Sequence, residues 1–196
     1  MAREQLNKIF LSASIPSLER NPLYYKTADV IAIRDAVIAL STVVIPNAHL
    51  IWGGHPSITP LIRYVMEVMK VEIKGYVTLY QSKYFEDKFP SDNFSFENIR
   101  LTDCTDNLLE SLEIMRRTMF EENDFKAAIF MGGMEGIQTE YHLFKEYHPN
   151  ALILPISSTG AASKILYDEL YTEKSERLNS DYAYMSLFKD LLSEII

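Results

Sequence analysis

Short apolar runs alternate with helix-like segments along this chain, and three of those runs end in a glycine- or serine-rich turn. The first turn is Ser12-Ala13-Ser14-Ile15-Pro16, after Lys8-Ile9-Phe10-Leu11. The second is Gly53-Gly54-His55-Pro56-Ser57, after His49-Leu50-Ile51-Trp52. The third is Gly132-Gly133-Met134-Glu135-Gly136, after Ala127-Ala128-Ile129-Phe130-Met131. Short, nearly continuous apolar strands separated by helices form a parallel sheet covered on both faces. In such a sheet the turns that follow strands share one rim, where flexible backbone and helix N-terminal N–H groups receive anionic ligands. Three turns at that common position argue for a nucleotide-type site.

The alternation predicts strands over 8–12, 49–52, 76–80, 99–103, 127–131 and 151–156. It predicts helices over 27–44, 58–70, 107–121, 137–147 and 161–170, and a C-terminal helix over 182–195. In the first of these, Ile31, Ile33, Val37, Ile38 and Leu40 supply an apolar face. The expected architecture is α/β: a single doubly wound, Rossmann-like domain over residues 1–196, with a mostly parallel sheet of about six strands. No internal repeat, low-complexity tract or Pro/Ser-rich linker divides it. The polar, aromatic-rich stretch 81–98 is the longest connection. Segments of that length form lids and binding elements, or surface excursions carrying a short helix.

Composition narrows the function classes. The chain has 196 residues, 47% of them hydrophobic, with a formal net charge of −8 and no basic run. A non-specific nucleic-acid binder needs a Lys/Arg stripe to neutralise phosphates, so nucleic acid is not an expected partner. A small anion needs only a local positive site. Cys104 is the sole cysteine, which excludes an intramolecular disulfide and a cysteine-based zinc site, and it is expected to be semi-buried near a strand end. His49, His55, His142 and His148 show no ligand spacing with cysteine or clustered carboxylates, so neither a metal nor a cofactor is expected. No stretch approaches the roughly 18 apolar residues of a membrane span, and no signal-peptide h-region opens the chain. The expected setting is the cytoplasm, with no membrane partner.

The third turn is the sharpest motif. Paired glycines let the backbone approach a ligand closely, and Gly136 precedes a helix whose dipole favours negative charge. Glu140, one turn further on, is placed to hold ribose hydroxyls or to act as a general acid/base. Equally, the glycines can be tight-turn formers and Glu140 a first-turn helix residue. Arg116 and Arg117 lie on the preceding helix. Arginine suits bidentate recognition of phosphate or carboxylate, although either residue alone also reads as a solvated charge. Ser12 and Ser14 offer hydroxyls to phosphate or ribose, His55 a ring nitrogen, and each also reads as an ordinary turn residue. Tyr80, Gln81 and Ser82 close the third strand on the same rim, where a tyrosine can stack on a base or pack in the core. Ser158, Thr159 and Gly160 open the helix after the sixth strand as an anion site or as an N-cap. No nucleophile elbow, Walker A loop or dinucleotide glycine fingerprint is present, which argues against an α/β-hydrolase, a P-loop NTPase and a standard dehydrogenase.

Four motifs together carry a family resemblance: residues 9–16, residues 53–60, Gly132-Gly133-Met134-Glu135-Gly136, and Pro155-Ile156-Ser157-Ser158-Thr159-Gly160-Ala161-Ala162. In this order they resemble the SLOG superfamily, which takes in the DprA/Smf proteins and the LOG phosphoribohydrolases. Within it, the chain is most similar to SLOG domains that act as sensors in bacterial anti-phage systems, including the NAD-depleting effector of Thoeris defence. The resemblance implies a Rossmann-like fold that binds a nucleotide or an ADP-ribose-type ligand at the carboxyl rim of the sheet. LOG hydrolases carry an arginine before a Pro-Gly-Gly-x-Gly-Thr turn and a glutamate in the next helix, and Arg116 and Glu140 match those positions. Met131 replaces the proline, one extra residue (Met134 or Glu135) lengthens the turn, and Ile137 stands where a threonine is expected. Glu135 would also repel a monophosphate unless it points away.

Two functions follow as expectations. One is a sensor of a nucleotide-derived signal such as a cyclic ADP-ribose-like molecule, in defence or stress signalling, acting as a homo-oligomer or through a separately encoded effector. The other is a nucleotide N-glycosidic hydrolase with Glu140 as acid/base and Arg116 on phosphate. The departures from the LOG turn favour sensing.

Overall fold

The computed structural model describes residues 6–45, 47–70, 76–170 and 175–196. Strand β1 (Lys8–Ser14) shows why the sheet must be covered on both sides. Successive strand side chains face opposite ways. Ile9 and Leu11 therefore enter one apolar layer and Phe10 the other, and all three are fully buried. Strands β2 (His49–Trp52), β3 (Val77–Ser82), β4 (Ile99–Thr102), β5 (Phe125–Gly132) and β6 (Leu152–Ile156) complete the sheet. Its six strands run in the order β4-β3-β2-β1-β5-β6, with every pairing parallel. The fold is α/β and Rossmann-like.

Helices fill both faces. Helices α2 (Val30–Val44), α3 (Thr59–Met69) and α8 (Tyr184–Leu191) pack on the Ile9/Leu11 side. Helices α4 (Leu108–Glu121), α5 (Glu135–Tyr147) and much of α6 (Ala161–Leu170) cover the Phe10 side. There Phe10 meets Phe120 edge-on at 5.0 Å between centroids and stacks on Phe144 at 5.7 Å. Such ring pairs add specific geometry to a large buried apolar area. Short helices α1 (Pro22–Tyr25) and α7 (Glu176–Ser180) finish the set.

The chain differs from the sequence expectation mostly at element ends, and side-chain caps explain several cases. Helix α2 begins at Val30 rather than 27, because the Asp29 carboxylate accepts the Ala32 N–H at 2.9 Å as its N-cap. Asn21 caps α1, with Pro22 at its first position, so a helical turn forms where none was expected. The C-terminal helix expected over 182–195 is present but shorter, as α8 (Tyr184–Leu191), and the short helix α7 precedes it. Stretch 81–98 holds two 3-10 turns, Lys83–Lys88 and Ser91–Ser95. Cys104 is exposed just beyond β4, not semi-buried. Among the described residues no helix is long and apolar enough to cross a membrane.

Strand order reverses between β1 and β5, and a compact set of hydrogen bonds closes the sheet there. Gly133 N–H donates to the Ser14 carbonyl at 2.8 Å, and Gly132 N–H donates to Thr159 Oγ1 at 2.9 Å. Across the same end, Thr27 Oγ1 accepts the Ala161 N–H at 3.0 Å, and Asp29 N–H donates to the Thr159 carbonyl. Gly160 makes this closure possible. Its φ is +72°, and a Cβ there would stand 1.7 Å from the Thr27 carbonyl oxygen. Gly160→Ala should therefore lower unfolding free energy by about 3 kcal/mol, while Gly53→Ala, which meets only the mobile end of Met115, should cost under about 1 kcal/mol. Urea denaturation of the two variants checks both values.

Candidate functional site

A cleft of about 660 Å³ opens at the carboxyl rim of the sheet. Open parallel sheets bind ligands in this place because the connections diverge where strand order reverses. Ser12 and Ser14 enter it from the end of β1, and Gly53, Gly54 and His55 from the turn after β2. Arg116 reaches it from α4. Met134, Glu135, Gly136 and Glu140 enter from the start of α5. Elements far apart in sequence thus converge on one space.

At its centre lies a charged array almost removed from water. Arg116 donates its Nε–H to Glu140 Oε1 at 3.1 Å, and the two side chains are only 11% and 15% exposed. Ser12, itself buried, donates its hydroxyl to Glu140 Oε2 at 2.5 Å. Both carboxylate oxygens are therefore engaged. The opposite end of the guanidinium remains available, since no hydrogen bond joins an Nη group of Arg116 to another described residue. Its Nη2 sits 3.2 Å from where a Cβ on Gly136 would stand, so glycine lets the guanidinium lie close over the first turn of α5 without a shift of a few tenths of an ångström. No side chain caps that turn at Met134. A guanidinium beside an uncapped helix N-terminus is an arrangement that can receive an anion. Glu135 sits at the cleft margin with Oε1 accepting the Asn21 Nδ2–H at 2.6 Å, so part of its charge is held by α1.

Other expected site residues serve the scaffold. Arg117 points away from the cleft, where it donates to Glu113 at 2.7 Å and to the Tyr147 hydroxyl at 3.1 Å. Adjacent helix positions lie about 100° apart, so only one arginine of the pair can face the cleft. Gly132 and Gly133 are buried in the closure of β5 on β1 rather than lining the space. Ser158, Thr159 and Gly160 are buried too. The Ser158 hydroxyl pairs with that of Tyr184 at 2.9 Å, and Thr159 donates to the Ile156 carbonyl at 2.6 Å. The start of α6 is therefore filled by Thr27 and the closure around it, not offered to an anion. Tyr80 does not reach the cleft either. Its hydroxyl donates to Glu122 at 2.9 Å and accepts from Asn123 at 2.9 Å, beyond the far end of α4.

Several lining residues carried no sequence motif. Arg20 comes from the connection after β1, Met115 from α4, Phe85, Lys88 and Asn93 from the two 3-10 turns after β3, and Phe89 from between those turns. The length of 81–98 left it open as a lid or binding element or as a surface excursion, and nothing in it marked individual residues. Gln81, at the expected rim, does line the cleft.

The chain belongs to the SLOG cluster3 family. The family's pattern matches residues 23–192. No curated protein matches the chain. SLOG membership suggests a nucleotide-related function.

One titratable group in the SLOG cleft responds to pH. His55 Nδ1 accepts the Ser57 N–H at 3.2 Å, which requires that nitrogen to be unprotonated. Burial, helped by the positive charge of Arg20, pushes the His55 pKa below the ordinary 6.5. Burial likewise lowers His148, whose ring lies among Phe120, Phe125 and Phe144. Because both folded-state values are depressed, the unfolded chain binds protons first on acidification. The stability these rings contribute is present above pH 6.5 and declines as pH falls below it. Ring NMR titration should place both midpoints below 6.5, and denaturation should show stability decreasing between pH 7 and pH 5. A midpoint at or above 6.5 for His55 would contradict its burial.

Proposed function

We propose that the cleft binds a nucleotide-derived ligand of the ADP-ribose type and that the protein acts as a sensor of it. The observation that carries this reading is the free Nη end of Arg116 poised over the uncapped first turn of α5. It supplies a phosphate subsite at the strand-order reversal, in a cleft large enough for a nucleotide. The hydrogen bonding of Glu140 favours sensing over hydrolysis. A general acid/base needs an oxygen with access to the substrate proton. Each oxygen of Glu140 already accepts one hydrogen bond, from Ser12 and from Arg116, which supports reading this carboxylate as a clamp for the arginine. Likeness to the sensor domains of anti-phage systems supports a role for the ligand as a defence or stress signal.

ADP-ribose should raise the melting temperature, since a ligand that binds only the folded state stabilises it by mass action. Arg116→Ala should weaken binding by about 1.5–3 kcal/mol, the worth of a charge-assisted contact. Wild-type protein incubated for hours with NAD, ADP-ribose or nucleoside monophosphates should release no free base by chromatography. Release that disappears in Glu140→Gln would replace sensing with N-glycosidic hydrolysis.

A sensor must also pass its signal on, through its own oligomer or a separate effector. Exposed apolar side chains support an oligomer: Leu23 and Tyr25 on α1, Ile31 on α2, Tyr182 just before α8 and Met185 within it. Closed, isologous pairing is the commonest way to cover such surface. Light scattering should return a mass of twice the chain or more, and a monomer across a wide concentration range would count against assembly.

A further inference from the structure

Among the described residues, Arg20 is the one arginine without a carboxylate. Arg34, Arg63, Arg100, Arg116, Arg117 and Arg177 each form an ion pair. Acids are plentiful in a chain of net charge −8, yet the Arg20 guanidinium makes no ion pair or hydrogen bond with any described residue. Solvent can satisfy a guanidinium, so the lack of a partner decides nothing by itself. Position does. Arg20 lines the cleft from the connection after β1. That connection is tied down: the N–H groups of Arg20 and Asn21 both donate to the Ser17 carbonyl at 3.2 Å, and the Asn21 side chain caps α1. On one side Asn21 Nδ2 donates to Glu135, the first residue of α5, and the next residue, Gly136, lies against Arg116 Nη2. Glu135 forms no ion pair with Arg20. On the other side is His55, whose pKa is depressed by burial and then by the charge of Arg20. Arg20 therefore stands between the first turn of α5 and the turn after β2.

Unused donors thus run across the rim from α5 to β2. Arg116 offers its Nη end over α5, and Arg20 offers its whole guanidinium. His55 adds a neutral donor. Its Nδ1 accepts the Ser57 N–H, so the neutral ring carries its proton on Nε2, and that N–H has no partner among the described residues. In the sheet, β1 separates β5 from β2. The ends of β5 and β2 are therefore two strand spacings apart, roughly 10 Å. Two linked phosphates match donors spread over that span better than one phosphate does.

We infer that the cleft takes a diphosphate, with one phosphate at Arg116 over α5 and the next held by Arg20 and the His55 Nε2–H. This rests on the nucleotide-binding reading above and specifies the anionic part of the ligand. It makes Arg20 the residue that tells a diphosphate from a monophosphate.

Calorimetric titration of wild type and Arg20→Gln with ADP, AMP, inorganic pyrophosphate and inorganic phosphate tests it. ADP and AMP share base and ribose, so their affinity ratio reads the second phosphate alone. Pyrophosphate against phosphate gives the same reading without a base. Wild type should bind the diphosphate of each pair about tenfold more tightly, the low end for a charge-assisted contact because Arg20 is exposed. Arg20→Gln should remove most of that ratio and leave AMP affinity within about threefold. It should melt with wild type, since the side chain it replaces has no partner among the described residues. Equal binding of ADP and AMP by wild type, or a ratio unchanged in Arg20→Gln, would overturn the diphosphate assignment while nucleotide binding stands. So would equal weakening of ADP and AMP in the variant, which would put both arginines on one phosphate. Binding of pyrophosphate without any nucleotide would overturn the nucleotide reading and keep the diphosphate subsite. Failure of wild type to bind any of the four would overturn both.

Discussion

A guanidinium and a carboxylate nearly withdrawn from water cannot tolerate separation, and the architecture around the cleft follows from keeping Arg116 and Glu140 together. Removing one member of such a pair leaves an uncompensated charge in a poorly solvated place, which is far worse than the modest net worth of the pair. The array joins α4 to α5, and through Ser12 it joins both to β1. These elements flank the reversal of strand order. Glycine at 136 is part of the same constraint, because any side chain there would press on Arg116 Nη2. The central feature of the cleft is therefore tied to the fold itself rather than resting on a mobile loop, and its geometry is set before a ligand arrives. Preorganisation of this kind lowers the ordering cost of binding.

Much of the fold was legible because β1, β2 and β5 are apolar on successive positions, and only a doubly covered parallel strand accommodates Ile9, Phe10 and Leu11 together. The rim was legible for the same reason: each glycine- or serine-rich turn had to follow the carboxyl end of such a strand. What remained hidden depended on contacts between distant segments. Whether Ser158 and Thr159 face a ligand or the interior is decided by Thr27 and Tyr184, far from them in the chain. The choice between Arg116 and Arg117 depends on helical phase relative to α5, which local pattern does not fix. Resemblance to the LOG motif pointed to Arg116, and the cleft-facing arginine is indeed that one. Arg20 was invisible because one arginine in a connection forms no motif, and a guanidinium without a carboxylate is recognised only once its surroundings are known.

For a chain with net charge −8, the proposed binding of an anion must rely on short-range contacts. Its overall field does not draw the ligand in, so attraction is confined to what Arg116, Arg20, Lys88 and the dipole of α5 produce inside the cleft. Arg20 and Lys88 are solvent-exposed and screened by salt, whereas Arg116 is sheltered and screened much less. In the proposed complex the anionic end of the ligand would thus be held mainly by one protected group. That group cannot tell one nucleotide from another, because every nucleotide carries phosphate. Discrimination has to come from other residues that line the cleft. There a single mismatched hydrogen bond strands a buried donor or acceptor and is penalised heavily. The proposed sensing role would need this division of labour, with affinity supplied at the sheet's strand-order reversal and selectivity elsewhere in the cleft.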